Sequence, residues 1–245
     1  MKQCKFLVLA AISVLAICSC NSGGNTSTVT TSTDSTSTDS TAAVAPTPAM
    51  SAAAPIITLQ IKQKVANFSK WLEVYESHDT ARVASGLHNF VIGRGLKDSN
   101  TVLVALHVDD TSKAKEFANS AGLMAAMKKG GVIGKPDINY VLNKFHDTNT
   151  DSSTQRAIIR FNVKDYGTWK NAFESDNSER MNAGMTLRAI NQGLDNPDMV
   201  SLVFSIADMK RAEDFMHSKE LRQRMDSAGV VGAPDAFFYH VVKQY

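Results

Sequence analysis

The sequence predicts an α+β protein in which one βαββαβ unit occurs twice in tandem. Three observations carry that prediction. First, Ile61–Asp147 can be laid over Ile159–Tyr245 without a gap, with about 22 identities. Second, the identities fall on residues that shape a fold: Trp71 with Trp169, Arg82 with Arg180, Gly86 with Gly184, and Gly95-Leu96 with Gly193-Leu194. Phe117, Ser120, Leu123 and Met127 recur as Phe215, Ser218, Leu221 and Met225, and Gly131-Val132-Ile133-Gly134-Lys135-Pro136-Asp137 recurs as Gly229-Val230-Val231-Gly232-Ala233-Pro234-Asp235. Third, hydropathy switches period at the same places in both halves, from alternation to helical spacing and back. Residues 55–148 and 155–245 are therefore two copies of one domain.

Each element follows from its own pattern. Ala157–Val163 alternates like a half-buried strand. Tyr166, Trp169 and Phe173 then fall on one helical stripe, as do Phe68, Trp71, Leu72 and Tyr75 in the first copy. Two strands flank a Gly-Leu-Asp-Asn-Pro-Asp turn at Gly193–Asp198, matched by 95–100. A helical stretch over 209–228 breaks at Ser218, where a serine can cap a new turn. The glycine-proline loop ends it, and Phe237–Val242 forms the last strand. The order is the split βαβ, or ferredoxin-like, arrangement.

Composition bounds the function. With 245 residues, 43% hydrophobic and 20% charged, the chain is neither collagen-like, nor wholly disordered, nor a many-pass membrane protein. Lys and Arg number 26 against 24 Asp and Glu, so no bulk field attracts a polyanion and no nucleic-acid partner is expected. The first five residues carry Lys2 and Lys5 ahead of an apolar run, Phe6–Ile17. That run spans about 18 Å as a helix against a bilayer core of about 30 Å, which reads as a secretory signal over 1–19. Leu15-Ala16-Ile17-Cys18-Ser19-Cys20 resembles a bacterial lipobox with Cys20 as the acceptor. The resemblance implies a diacylglycerol on Cys20, anchoring to membrane lipid and a cell-envelope location. Asn21 favours the outer membrane by the same resemblance. An ordinary signal peptide with incidental cysteines is the alternative. Residues 20–54 are rich in Ser, Thr, Ala and Pro and read as a disordered tether. Cys4, Cys18 and Cys20 all lie in the leader, which leaves the two copies without disulfides or thiolate chemistry.

The paired copies, with a Trp on the first helix and Phe215-Met216-His217-Ser218 before a second short helix, resemble the dimeric α/β-barrel superfamily and its antibiotic-biosynthesis-monooxygenase branch. The resemblance implies sheet packed on sheet with helices outside. Here the partner subunit is supplied by the same chain, as a monomeric pseudo-dimer. It also implies two activities to weigh, cofactor-independent monooxygenation and isomerisation. Relatives of the fold handle haem, but no convincing axial ligand is present and no cofactor or metal is expected.

Candidate site residues come from the strand faces. Val102, Val104, Leu106 and Val108 form an apolar face expected to meet the helices. The opposite face, lining the seam between copies, is expected to carry Lys62, His88, Arg94, His107, Arg160 and Arg188. Two readings stand: a pocket between the copies for a small anionic or aromatic ligand, and a mixed polar interface with scattered ion pairs. His88 and His107 on adjacent strands, and His217 at a helix end, are the candidate catalytic residues. Thr186, Ser205 and Asn119 replace them in the other copy, so cross-strand polar pairing and capping compete with catalysis. Trp71 and Trp169 read as core or as a substrate wall. Arg82 and Arg180 read as bonded to loop carbonyls or a helix-end carboxylate, and Pro136-Asp137 and Pro234-Asp235 as turn formers. The leading functional reading is a small-molecule-binding or non-catalytic envelope module. A catalytic pocket should keep polar residues in one copy and be filled in the other.

Overall fold

The structure is a computed structural model that describes residues 55–149 and 152–245. The leader, Cys20 and the tether lie outside the described residues. Ser51–Tyr245 forms one compact unit. The first copy runs β1 (Ile57–Val65), α1 (Phe68–Ser77), α2 (Asp79–Ala84), β2 (Leu87–Gly95), β3 (Thr101–Val108), α3 (Thr111–Ala118), α4 (Ala121–Gly130) and β4 (Val132–His146). The second repeats it as β5 (Gln155–Val163), α5 (Tyr166–Ser175), α6 (Asn177–Asn182), β6 (Met185–Gly193), β7 (Met199–Ile206), α7 (Met209–Met216), α8 (Lys219–Ser227) and β8 (Val230–Gln244).

Side-chain caps explain where six of the eight helices among the described residues begin, all but the short α2 and α6. Asn67 and Asp165 accept from the amides of Lys70 and Thr168 at 2.9 and 2.7 Å, and Ser120 and Ser218 accept from Leu123 and Leu221 at 3.2 and 3.1 Å. Each such cap contributes about 1 kcal/mol. The predicted break at Ser218 is thus the N-cap of α8. Gly131 closes α4 with a left-handed φ of 75°, which a residue bearing a Cβ adopts only under strain. The short α2 and α6 were not expected. They carry Arg82 and Arg180, whose burial fixes them.

The sheets do more than face each other. They join edge to edge into one closed antiparallel barrel, ordered β1-β3-β2-β8-β5-β7-β6-β4. Closure depends on β4 and β8, each 15 residues long and well beyond the short final strand expected. The first half of β4 pairs with β1 of its own copy and its end pairs with β6 of the other, while β8 pairs with β5 and β2 in the same way. No sheet edge is left open, and the copies are tied by main-chain bonds. All eight strands and both cores lie within this unit, so it carries what it needs to fold.

The helix side of each sheet holds a core. Val102, Val104, Leu106 and Val108 pack with Trp71 and Phe68, as the apolar face requires, and Val200, Leu202, Phe204 and Ile206 pack with Trp169. Inside the barrel a third cluster, Leu103, Ile158 and Tyr239, is joined by Val91, Val203, Phe237 and Val241. Beside it Ser201 donates to Gln60 Oε1 at 2.8 Å, across the copies.

Candidate functional site

In the first copy the helices do not close fully on the sheet. A cavity of about 450 Å³ lies between α1, α3 and α4 on one side and β1, β3 and β4 on the other. Leu59, Ile61, Val104 and Leu106 form its floor, and Leu123 and Met127 of α4 form its cover. One wall is a stack in which Trp71 lies on Tyr75 with ring centroids 5.1 Å apart, and the Arg82 guanidinium sits 3.7 Å from the Tyr75 centroid. Burial pushes the Tyr75 phenol up, so it stays protonated. It donates to Asn89 Oδ1 at 2.6 Å, and Asp79 Oδ1 accepts from Asn89 and from Arg82 at 2.5 and 3.1 Å. Arg82 also donates to the Tyr75 carbonyl, as expected for a loop-bonded arginine, and its Nε is buried without a partner.

Tyr140 of β4 lines the same cavity, with Lys115 Nζ 5.4 Å from its ring centroid. It is 8% exposed, its hydroxyl is buried without a hydrogen-bond partner, and burial raises its pKa. An orphaned buried hydroxyl costs about 1–3 kcal/mol, so a group retained in that state invites an acceptor from a ligand. His78, Gln63, Lys115 and Asn119 complete the polar lining.

The second copy gives the contrast. There Tyr75, Tyr140, Asn89 and Gln63 are replaced by Phe173, Phe238, Leu187 and Phe161, and Leu106 by Phe204. Phe161 meets Trp169 edge-on at 5.6 Å and Phe173 lies 6.5 Å from Phe204, filling the sheet side. A cavity of about 530 Å³ does occur in this copy, but α5 and α8 supply most of its lining, and Val230 is the single strand residue in it. Size alone would favour it. Tyr166 of this copy also has a buried hydroxyl without a partner, but it does not line the cavity. The first-copy cavity is the better candidate because it reaches the sheet and has Tyr140 in its lining.

No protein-family model matches the chain, and no curated protein does. Solved structures do. The chain is similar to a candidate monooxygenase from Fusobacterium nucleatum subsp. nucleatum, at 12% identity and a TM-score of 0.52, covering 78% of this chain and 94% of that one. It is similar to an anthrone oxidase-like protein at 13% identity and a TM-score of 0.51, covering 78% and 92%. A candidate chlorite dismutase matches at 12% identity and a TM-score of 0.50, covering 77% and 95%. The fold is the dimeric α/β barrel. Here the dimer is built from one chain.

Within that barrel the residues expected along the seam scatter. Lys62 and Arg160, equivalent positions of β1 and β5, each reach an aspartate of the other copy: Lys62 Nζ lies 2.5 Å from Asp235 Oδ2, and Arg160 Nη1 lies 2.6 Å from Asp137 Oδ2. The Pro-Asp pairs thus lie inside β4 and β8, where their carboxylates accept from cations of the other copy, and are not simple turn formers. Arg160 keeps an unpartnered Nη2. The hairpin register sets His88 opposite His107. Exposed His88 binds Asp109 Oδ2 at 2.7 Å, whereas His107 stacks 4.4 Å from Phe90 with its Nδ1 unpartnered. Burial, then His146 and His88, lower the His107 pKa.

Arg94 is not on the seam. A bulge between Asn89 and Val91 reverses the alternation, so Arg94 turns to the helix side, 4.5 Å from the Phe68 ring, and donates to the Ser99 carbonyl. Arg188 occupies the equivalent bulge of β6 and binds Asp147 Oδ2 at 2.7 Å and the Asn149 carbonyl, holding the connector between copies. His217 is the exposed C-cap of α7, with Nδ1 2.7 Å from the Glu213 carbonyl. None of His88, His107 or His217 lines the first-copy cavity. Among the described residues, no group of three or more His, Cys, Asp or Glu is disposed to hold a metal ion. The signal that could have found the cavity was the loss of hydroxyls between copies at 75/173 and 140/238.

Proposed function

We propose that this is an envelope lipoprotein, anchored through Cys20, whose first copy binds a flat, mostly apolar small molecule bearing an oxygen acceptor, while the second copy completes the barrel. The Tyr140 hydroxyl carries the reading: it is buried and unpartnered, on a residue that lines the same cavity as the aromatic stack, a cavity that phenylalanines fill on the sheet side of the duplicate. The ligand's body stacks along Trp71 and Tyr75, and its acceptor takes the Tyr140 proton as a hydrogen bond. Arg82 and Lys115 favour partial negative charge on that acceptor.

Fluorescence tests it. A Trp169→Phe variant leaves Trp71 as the sole indole, and titration with anthrone or 1-naphthol should quench it. Tyr140→Phe should weaken binding about ten-fold, the loss of one buried hydrogen bond. Native mass spectrometry of protein from its own host should show a retained molecule. Failure of every aromatic probe to quench Trp71, with a clean native mass, would leave a non-catalytic structural module.

A second reading is supported by His78 lining the same cavity as Tyr140, a base-type and a donor group around one ligand. It is cofactor-independent monooxygenation of an activated methylene: dioxygen is consumed, the methylene becomes a carbonyl, and one oxygen atom leaves as water. His78 takes the methylene proton and Tyr140 steadies the resulting oxyanion. An oxygen electrode with anthrone as substrate decides it, since His78→Ala should abolish uptake while Trp71 quenching persists.

A further inference from the structure

The cavity mouth lies on an unusual surface. Met124, Lys135 and Ile138 line the cavity and are also exposed, so they form its rim. Met124 is 57% exposed and Ile138 43%. Ala121, Gly122 and Ala125 lie on the solvent stripe of α4 with Met124, Lys128 and Lys129. A side chain added at Gly122 would meet nothing within 4 Å, so the stripe is uncovered. α4 contains no acidic residue.

The duplication supplies the control. At the same places in the fold α8 carries Lys219, Glu220, Arg222, Gln223 and Asp226, and β8 carries Ala233 and Ala236 for Lys135 and Ile138. That is an ordinary charged helix. Holding the fold therefore does not require apolar residues on this stripe, and their presence in one copy calls for another cause.

We infer that α4 and the head of β4 form a docking surface for an anionic phospholipid bilayer, setting the mouth of the first-copy cavity against the lipid so that its ligand enters from the membrane. The entry route rests on the binding role proposed above, but the docking does not. The chemistry matches: Met124 and Ile138 suit the acyl boundary, and Lys128, Lys129 and Lys135 flank them at headgroup height. No helix among the described residues is long and apolar enough to cross a membrane, so the contact lies on the surface. The proposed lipid anchor upstream of Pro55 would keep this face near a bilayer.

The test uses residues 51–245, which lack Cys20, with vesicles of phosphatidylcholine alone and with added phosphatidylglycerol. The protein should float with the anionic vesicles and not with the neutral ones, and salt should release it. Lys128→Asp with Lys135→Ala, residues the second copy already carries, should lower affinity at least about 25-fold, from about five-fold per lysine. Gly122→Trp should raise affinity about ten-fold without touching the core. Equal binding to both vesicles, or no response to these substitutions, overturns the proposal. So does a dimer in the absence of vesicles that Lys128→Asp disperses, because the face would then be a self-interface. Tyr140→Phe separates the two ideas: it should cut Trp71 quenching and leave flotation unchanged.

Discussion

Gly93 is the point where the two copies are most tightly fitted. A methyl group there would lie 2.2 Å from Cδ2 and 2.8 Å from Cε2 of Tyr239, over 1 Å inside an ordinary contact of about 3.5 Å. The ring cannot step aside, because it is 3% exposed and packed with Leu103 and Ile158 inside the barrel. Overpacking of this kind costs about 1–3 kcal/mol, and the entropy gained by Gly→Ala in the unfolded chain returns about 0.4–1 kcal/mol. Gly93→Ala should therefore destabilise by up to about 2.6 kcal/mol, lowering the melting temperature of a unit this size by up to about 10 °C. The equivalent pair in the other copy is Asn191 and Val141, larger where Gly93 is small and smaller where Tyr239 is large. Tyr239→Val imports that second solution. In its background Gly93→Ala should cost nothing or stabilise, as read by calorimetry or circular dichroism melts of all four proteins. The same loss in both backgrounds would show that the ring contact is not the cause, and the volume exchange across the seam would fall with it.

Tyr140→Phe should raise stability by about 1 kcal/mol in the absence of ligand, since it removes an unpartnered buried hydroxyl, and a loss in urea titration would mean that the hydroxyl has a partner in the fold. Asp137→Asn leaves buried Arg160 unpaired and should cost about 1–2 kcal/mol, less than a fully buried pair because Asp137 is itself half-exposed. Asp235→Asn, facing the better-solvated Lys62, should cost under about 1 kcal/mol, and equal urea midpoints for the two variants would contradict the ranking. The depressed His107 pKa means that the unfolded chain takes up its proton at higher pH than the fold does. Stability should therefore be full above about pH 6.5 and fall as pH drops through that value toward the folded pKa. His107→Gln should flatten that slope in urea midpoints measured between about pH 5 and 8.

The duplication was legible because it is written in residues that the fold constrains everywhere: a buried Trp, a left-handed Gly, a Ser cap. The helix-facing side of each third strand was legible for the same reason, an unbroken apolar alternation. The seam was read less well because alternation holds only until a bulge. Phe90 and Arg188 are ordinary strand residues, and no signal in them says that the chain skips a partner there. One skipped residue carried Arg94 to the opposite face. The aspartates after Pro136 and Pro234 were read locally as turn formers, while their partners lie in the other copy, a relation no single-copy pattern contains. The cavity was missed because Trp71 and Tyr75 have the spacing of core residues, and they are core as well as wall.

Fusion explains why the asymmetry could arise. In a homodimer every substitution appears twice, so a side chain that opens a cavity in one subunit opens it in both and weakens both cores. Within one chain the two effects separate. The second copy packs Phe161, Phe204 and Phe238 with Trp169 on the sheet side, while the first leaves a cavity over Leu106 that Tyr140 lines. The barrel tolerates this because its copies are joined by the continuous β2–β8 and β4–β6 ladders, to which the helices add only solvent-accessible ion pairs such as Lys115–Asp195 and Glu76–Lys243, so loosening one helix layer does not open the seam. The same separation reaches the surface, where α4 is apolar and basic and α8 is mixed in charge. The copies differ at three layers, core, cavity and rim, and these lie along one path from sheet to solvent, the arrangement that the proposed ligand route through the first copy requires.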